Sequence, residues 1–369
     1  MSKQVKVLYV IDCYHNPYAG TEGQLLKLIS GLDPNRFTAE LAVFRGSNYL
    51  ANHTFPIKVT VLRVTRLLSP LSWTRLFRFF LAKRRAGFRL VHIFFNDASI
   101  ICPPLLKLLG CRMIISRRDM GYWQNHRNLL PLRLNARYVD KVIVNSKAVK
   151  AITVAREGYS PDRVEVIYNG YDTAGCPPPE DTETILPEGQ MLKLVLVANI
   201  RAVKRIEDAI HAVARLRECY PDSTLSIIGD GDQTALADLC SRLGISKSVR
   251  FLGPRKDVRA LLPAFDVGLL CSESEGFSNT LIEYLMSGLA VICTEVGGNP
   301  EIIEHGITGL LYPPGDVNAL VNHLVQLAQN PATRTALGQT GRKRVEKEYT
   351  LTLMTARHQA IYAALAGTG

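Results

Sequence analysis

Long apolar runs are missing from this 369-residue chain. No stretch of 18 or more apolar residues occurs, which excludes a membrane-spanning helix. A signal-peptide core is missing too: Val7–Ile11 follows Lys3 and Lys6, and five apolar residues are too few. They read as a buried first strand. Paired cysteines are absent. The eight cysteines, at 13, 102, 111, 176, 219, 240, 271 and 293, form no C-x-x-C pair. Neither a zinc site nor a disulfide framework is indicated, and reduced core thiols in a cytoplasmic protein are expected. No helix-turn-helix, zinc-finger or aromatic RNA-binding signature occurs, which places nucleic acid last among partners. Short repeats and low-complexity tracts are absent as well. Charged residues make up 21% against 47% hydrophobic, which excludes a disordered polymer.

What is present points to two domains, from length alone. The formal net charge is +11, and it is unevenly spread. Residues 1–175 hold 26 Lys+Arg against 11 Asp+Glu, a balance of +15, while residues 176–369 hold 18 against 22, a balance of −4. Such asymmetry implies an anionic partner for the first half: anionic lipid or a phosphorylated substrate.

Short apolar runs alternate with helical patterns. Strands are expected at Val5–Ile11, Ala39–Phe44, Leu90–Phe95, Arg112–Ile115 and Lys141–Val144, then at Leu192–Ala198, Thr224–Ile228, Val249–Leu252, Val267–Leu270 and Ala290–Cys293. Helical stretches such as Glu22–Ser30, Glu207–Cys219, Thr234–Leu243 and Asn279–Ser287 lie between them. Buried-strand runs alternating with helices are the βαβ signature of parallel sheets covered on both faces. Asp172–Gln190 carries four prolines and no apolar period, so residues 176–190 read as a linker. The fold class is therefore α/β: two doubly wound Rossmann-like domains, 1–175 and 191–349, facing a cleft. Ligands in such sheets sit beyond the carboxyl ends of the strands, so the cleft is the expected site.

Three segments carry candidate chemistry. After the run ending at Ala198, Arg201, Lys204 and Arg205 cluster before a helix, a placement that suits a diphosphate. Ile227–Thr234 resembles a G-x-G-x-x-G loop, but Thr234 replaces the third glycine, and the Asp230/Asp232 pair is accounted for by a strand-to-helix turn. No NAD site and no metal are assigned there. In Phe265–Cys293 a buried strand leads into an acidic loop, Ser278 or Asn279 caps a helix, and the helix start beside Gly276 forms an anion site. Asn279 and Glu283, at i and i+4, share a helix face on which a carboxylate can hold sugar hydroxyls.

The stretch Glu275-Gly-Phe-Ser-Asn-Thr-Leu-Ile-Glu283, with Met286–Ile292, strongly resembles the E-x7-E motif of the retaining GT-B glycosyltransferases of family four, group 1. Ala19-Gly-Thr-Glu22, Asn145-Ser-Lys147, Val166–Asp172, Phe251-Leu-Gly253 with Asp257, Glu295–Glu301 and Thr308–Tyr312 match further landmarks in order, so the resemblance covers nearly the whole chain. It implies transfer of a hexose, with retention, from a nucleoside-diphosphate sugar to a lipid-linked or cell-surface glycan acceptor. Glu283 would hold the ribose and Glu275 the donor sugar. Main-chain amides of Gly276, Phe277, Ser278, Asn279, Gly20 and Thr21 would hold sugar and diphosphate. Lys204, with Arg201 and Arg205, would neutralise the leaving group, so that no metal or other cofactor is needed. Residues 350–369 would cross back to the first domain as a helix. A sugar-nucleotide epimerase and a non-catalytic relative that binds nucleotide sugar or membrane remain open.

Two departures stand out. Ala198-Asn199 replaces the family's Gly-Arg, and Arg201 is the substitute. The family's His-Asp reads here as Arg118-Asp119: Asp119 keeps the acidic position and is a catalytic candidate, and Arg117 and Arg118 either grip an anionic acceptor or are surface charges. His15 and His126 read as solvated loop residues. Residues 73–85 place Arg75, Arg78 and Arg85 on one helical stripe and Trp73, Phe77, Phe80 and Leu81 on another. That pattern fits either an anionic membrane surface or an ordinary sheet-covering helix. The expected location is the cytoplasm, peripheral on the inner face of the cytoplasmic membrane.

Overall fold

The computed structural model describes residues 4–18, 20–172 and 192–367. The chain divides into two compact units, Met1–Tyr171 with Thr350–Gly369, and Asp172–Tyr349. The expected linker, 176–190, and Cys176 lie outside the described residues.

The first unit is a seven-stranded, all-parallel sheet in the order β3-β2-β1-β4-β5-β6-β7. Its strands are β1 (Val5–Cys13), β2 (Phe37–Arg45), β3 (Lys58–Val61), β4 (Leu90–Ile93), β5 (Arg112–Arg117), β6 (Lys141–Val144) and β7 (Val164–Val166). Strands β3 and β7 escape the sequence pattern because four and three residues give no readable period. The order reverses between β1 and β4. At that reversal two loops part to opposite faces of the sheet and open a crevice at the carboxyl edge.

The second unit repeats the plan with six parallel strands, order β10-β9-β8-β11-β12-β13. These are β8 (Lys193–Val197), β9 (Thr224–Ile228), β10 (Val249–Phe251), β11 (Val267–Leu270), β12 (Ala290–Thr294) and β13 (Leu310–Tyr312). Here the reversal falls between β8 and β11. The central strands β8, β11 and β12 are almost wholly buried, which is why their sequences are apolar throughout rather than alternating.

The helix Leu351–Gly367 belongs to the first unit. Leu351 N donates to Tyr171 O, and Met354 and Tyr362 enter the core formed by β1, β2, β4 and the helix Gly20–Ser30. A polar chain crosses this core. Tyr362 Oη meets both Tyr9 Oη (3.1 Å) and His92 Nδ1 (2.7 Å), and His92 Nε2 meets Ser116 Oγ (2.9 Å). Burial drives the His92 imidazole well below its ordinary range, so it is neutral.

The helix Pro70–Arg85 bears on the two readings of residues 73–85. Phe80 is 1% exposed, and Trp73 and Phe77 pack against the same core as Leu76. Trp73 Nε1 donates to Leu67 O, and Arg75 donates to the carbonyls of Leu62 and Arg63. Phe80 is buried and Trp73 and Phe77 are half-buried against the sheet, which supports the sheet-covering reading of this helix. Among the described cysteines, six are buried and Cys219 is exposed, contrary to a purely core assignment. No helix among the described residues is long and apolar enough to cross a membrane.

Candidate active site

In the second unit, four loops leave the carboxyl ends of β8, β9, β11 and β12 and are tied to one another through main chain. Glu273 N donates to Val203 O, joining the loop after β11 to the loop after β8. Gly298 N donates to Glu275 O, and Thr294 Oγ1 donates to Ser272 O, joining it to the loop after β12. Gly297 has φ +52°, and a Cβ there would lie 1.8 Å from Glu275 O. Only glycine permits this approach.

The frame brings two of the expected residues together. Lys204 Nζ donates to Glu275 Oε1 at 2.6 Å, and Ser272 Oγ donates to the same oxygen at 2.7 Å. Side-chain exposures of 25% for Lys204 and 12% for Glu275 leave the pair reachable from solvent but largely desolvated. Ser272 was not anticipated. A serine two residues past a buried strand carries no signal until the loop's curl shows that it faces Glu275.

The helix Asn279–Met286 starts beside this pair. Ser278 caps it, its Oγ accepting from Leu281 N. Tyr284 Oη accepts from Val197 N at 2.7 Å, and Thr280 Oγ1 donates to Val197 O, so the helix is locked to the end of β8. Glu283 is half-buried on this helix, next to Tyr284. A helix start offers first-turn N–H groups that its own ladder does not use, together with the positive end of the dipole. The Phe277 side chain is buried against Tyr349, with ring centroids 5.6 Å apart, so its contact with a ligand is confined to main chain.

The basic loop divides into different roles. Arg201 is exposed at the start of the short turn Ala202–Lys204. Arg205 is a correction: it forks onto buried Asp208 at 2.7 and 3.0 Å and holds the start of the helix Ile206–Cys219, so it does not stand free for a diphosphate. The Gly-Asp-Gly turn after β9 is structural in the same way. A Cβ on Gly229 would meet Ala198 O at 1.9 Å, and Asp232 Oδ1 accepts from Thr234 N and Oγ1. Among the described residues no group of three or more His, Cys, Asp and Glu is placed to hold a metal ion.

In the first unit, a small recess lies at the reversal between β1 and β4. Thr21, Phe95, Asn96, Arg118 and Asp119 line it with Ser116 and Arg117. Gly20 and Thr21 open the helix Gly20–Ser30, with Gly20 exposed. The neighbouring helix Asn96–Leu108 offers no anion site, because buried Asp12 accepts from the N–H groups of Asn96, Asp97 and Ala98. Burial, then the charge of Asp97, pushes the Asp12 carboxyl up to about 6.

The paired arginines separate. Arg117 corrects the sequence reading: it is 5% exposed and forks onto fully buried Glu157 at 2.7 and 2.9 Å, with a third bond to Ser99 Oγ. It cannot grip an acceptor. Arg118 is held instead by the Asn169 side-chain oxygen, and burial lowers its guanidinium to about 10. Asp119 Oδ1 accepts from Gly121 N (2.7 Å) and Trp123 Nε1 (3.0 Å), shaping the turn after β5, and burial raises its carboxyl above the usual range.

Residues 18–174 match the family described as Glycosyltransferase Family 4, and residues 192–330 match Glycosyl transferases group 1. The N-acetyl-alpha-D-glucosaminyl L-malate synthase of Bacillus anthracis is 33% identical over 170 residues, 46% of this chain and 44% of that protein. The amylovoran biosynthesis glycosyltransferase AmsK of Erwinia amylovora is 32% identical over 173 residues, 43% of this chain and 42% of that protein. The chain therefore spans less than half the length of each of these two relatives. The crystal structure of Anabaena HepE in complex with UDP-glucose has a TM-score of 0.82 at 20% identity, covering 98% of this chain and 100% of that one, which shows a shared fold. Two Rossmann-like units, an E-x7-E loop and helix at the second reversal point, and matches over both halves make this chain a GT-B protein of glycosyltransferase family 4, the group 1 glycosyl transferases.

Proposed function

We propose that this protein transfers a hexose, with retention, from a nucleoside-diphosphate sugar to a lipid-linked or cell-surface glycan acceptor. The observation that carries this reading is the Lys204–Glu275 pair beside the start of the helix Asn279–Met286. As the bond from sugar to diphosphate breaks, negative charge grows on the phosphate. A cation held in place beforehand lowers the energy of that charge without reorganising. Lys204 supplies it, with Arg201 as the second cation. Glu275 contacts the donor sugar, the amides of Gly276–Asn279 hold sugar and phosphate oxygens, and Glu283 takes the ribose hydroxyls.

In the first unit, the main-chain amides of Gly20 and Thr21 are assigned to the donor's sugar and diphosphate, Asp119 to catalysis and Arg118 to an anionic acceptor. No metal or other cofactor enters the reaction. A neighbour of the same fold binds UDP-glucose, and UDP-sugars are therefore the first donors to try. Thermal-shift screening against nucleoside diphosphates and their sugars tests the donor, since a ligand stabilises by an amount set by its concentration and affinity. Proton NMR of the product's anomeric signal tests retention. A panel in which no nucleotide sugar stabilises the protein, together with full activity of Lys204→Ala and Glu283→Ala, overturns the reading.

A further inference from the structure

We propose that Ser116 is a directed hydrogen-bond donor in the recess of the first unit, its proton aimed at an anionic oxygen of the substrate by a buried chain through His92 and Tyr362. Tyr9, His92 and Tyr362 are completely buried, and Ser116 is 4% exposed. Among the described residues, Tyr9 Oη meets only Tyr362 Oη, and Tyr362 Oη meets only Tyr9 and His92 Nδ1. Ser116 Oγ meets only His92 Nε2. Burial, then the neighbouring His358 and the charge of Arg118, keep the His92 ring neutral.

The proton positions follow from counting donors. A neutral imidazole has one N–H and one bare nitrogen. With the N–H on Nδ1, it donates to Tyr362 Oη, and the two tyrosine hydroxyls have only each other. One O–H then ends without an acceptor in a fully buried core, at a cost of about 1–3 kcal/mol. With the N–H on Nε2, Tyr9 donates to Tyr362, Tyr362 to His92 Nδ1, and His92 Nε2 to Ser116 Oγ. Every buried donor is used. The Ser116 oxygen accepts from His92, so its own proton points elsewhere, and no acceptor among the described residues receives it.

The recess lies where that proton points. Ser116 lines it together with Arg118, which is two positions on and so on the same side of the sheet. Of the five guanidinium N–H donors of Arg118, one bond is made among the described residues, to the Asn169 side-chain oxygen. The recess carboxylate, Asp119, already accepts from Gly121 N and Trp123 Nε1. Phe95 on the wall has φ +64°, where Asp12 gathers the N–H groups of the next three residues. A bulky residue at positive φ marks a wall whose shape is held by its surroundings. Converging donors select a group that only accepts, a carboxylate or a phosphate. That choice of ligand rests on the recess taking an anionic acceptor; the direction of the chain does not. His92 and Tyr362 touch no substrate and act as positioning residues.

The test is nitrogen NMR of the full chain labelled in histidine and arginine. The His92 signals are those lost in His92→Gln and moved in Ser116→Ala. Protonation at Nε2 with a bare Nδ1 is expected, and a proton on Nδ1 overturns the proposal. Inorganic phosphate and acetate are then titrated against the Arg118 Nε signal, and the tighter of the two tells phosphate from carboxylate. Ser116→Ala should weaken that binding roughly tenfold or more at unchanged melting temperature, and Ser116→Thr should recover part of it. Tyr362→Phe should release the His92 proton to Nδ1, turn Ser116 back towards Nε2 and weaken the anion likewise. Tyr9→Phe keeps the bond from Tyr362 to His92 and should change neither. Equal affinity in Ser116→Ala, or no response of Arg118 to either anion, overturns the proposal as well. Stabilisation by UDP, measured in parallel, reports on donor binding alone and so separates this failure from failure of the transferase reading.

Discussion

Lys204 and Glu275 lie 71 positions apart in the chain, yet their charged atoms meet at 2.6 Å. Each residue ends a different loop of the second sheet, on either side of the strand-order reversal. The ion pair therefore holds a cation in place before any substrate arrives, and Ser272 and the main chain of Gly298 keep Glu275 from following it. A pair that is partly exposed contributes little to folding, so its removal reads out on chemistry.

Lys204→Ala should lower kcat by about 10²- to 10³-fold, the loss seen when one pre-placed electrostatic donor is removed. Lys204→Arg should recover part of it. Melting temperature should stay within a few degrees. Steady-state kinetics with circular dichroism alongside check both halves of the expectation.

Glu283→Ala should weaken donor binding by roughly 10- to 100-fold, corresponding to about 1.5–3 kcal/mol for hydrogen bonds to a charged group. Titration calorimetry with the preferred nucleoside diphosphate measures it. Equal affinity in variant and wild type removes Glu283 from the ribose.

Gly297→Ala forces a side chain against Glu275 O from a positive-φ position. The loop must shift to admit it. Activity should fall by at least tenfold while the second unit stays folded, detected as lost turnover with a retained cooperative melt.

Glu157→Ala leaves the Arg117 guanidinium buried without its carboxylate, a change that destabilises by about 3–5 kcal/mol. Arg117→Met/Glu157→Leu should restore much of that stability, because both charges leave together. Urea midpoints decide. An Arg117→Met variant with normal stability and lost acceptor affinity would return Arg117 to the site.

His358 is buried and neutral, and burial lowers its imidazole to about 4, against about 6.5 in the unfolded chain. Between those values the unfolded state binds a proton that the folded state does not. Stability contributed by the neutral ring is therefore present above pH 6.5 and lost as pH falls towards 4, by about 3 kcal/mol. His92 acts in the same direction, while Asp12, raised to about 6, acts oppositely, its contribution being lost as pH rises. The comparison is thus between proteins: His358→Gln should show a flatter acid-side decline than wild type in urea unfolding from pH 7 to 4.

The strands and helices were legible wherever the elements are long and fully buried, because burial on both faces writes itself as an unbroken apolar run. Val195–Ala198, Val267–Leu270 and Ala290–Cys293 are of this kind, and the loops bearing Lys204 and Glu275 and the helix bearing Glu283 follow directly from them. Strands β3, β7 and β13 were not, since three or four residues do not make a period. Nor were Ser272 and His92, whose roles depend on partners 3 and 24 residues away across a fold.

By itself, the sequence determined the class of fold, the order of its elements and the loop pair at which donor chemistry is proposed, because hydrophobic period and local turn chemistry are properties of neighbouring residues. Tertiary structure alone decided which charges are available. Arg117 and Arg118 are adjacent at the end of β5, where successive side chains point to opposite faces. Arg117 forks onto Glu157 in the core, whereas Arg118 is held by Asn169 at the recess that holds Thr21. Trp73 and Phe77 turn inward while Leu130 and Leu134 remain outside, although all four sit on amphipathic helices. Which stripe faces the sheet depends on the register of each helix against its strands, and that register is a long-range quantity no local pattern contains.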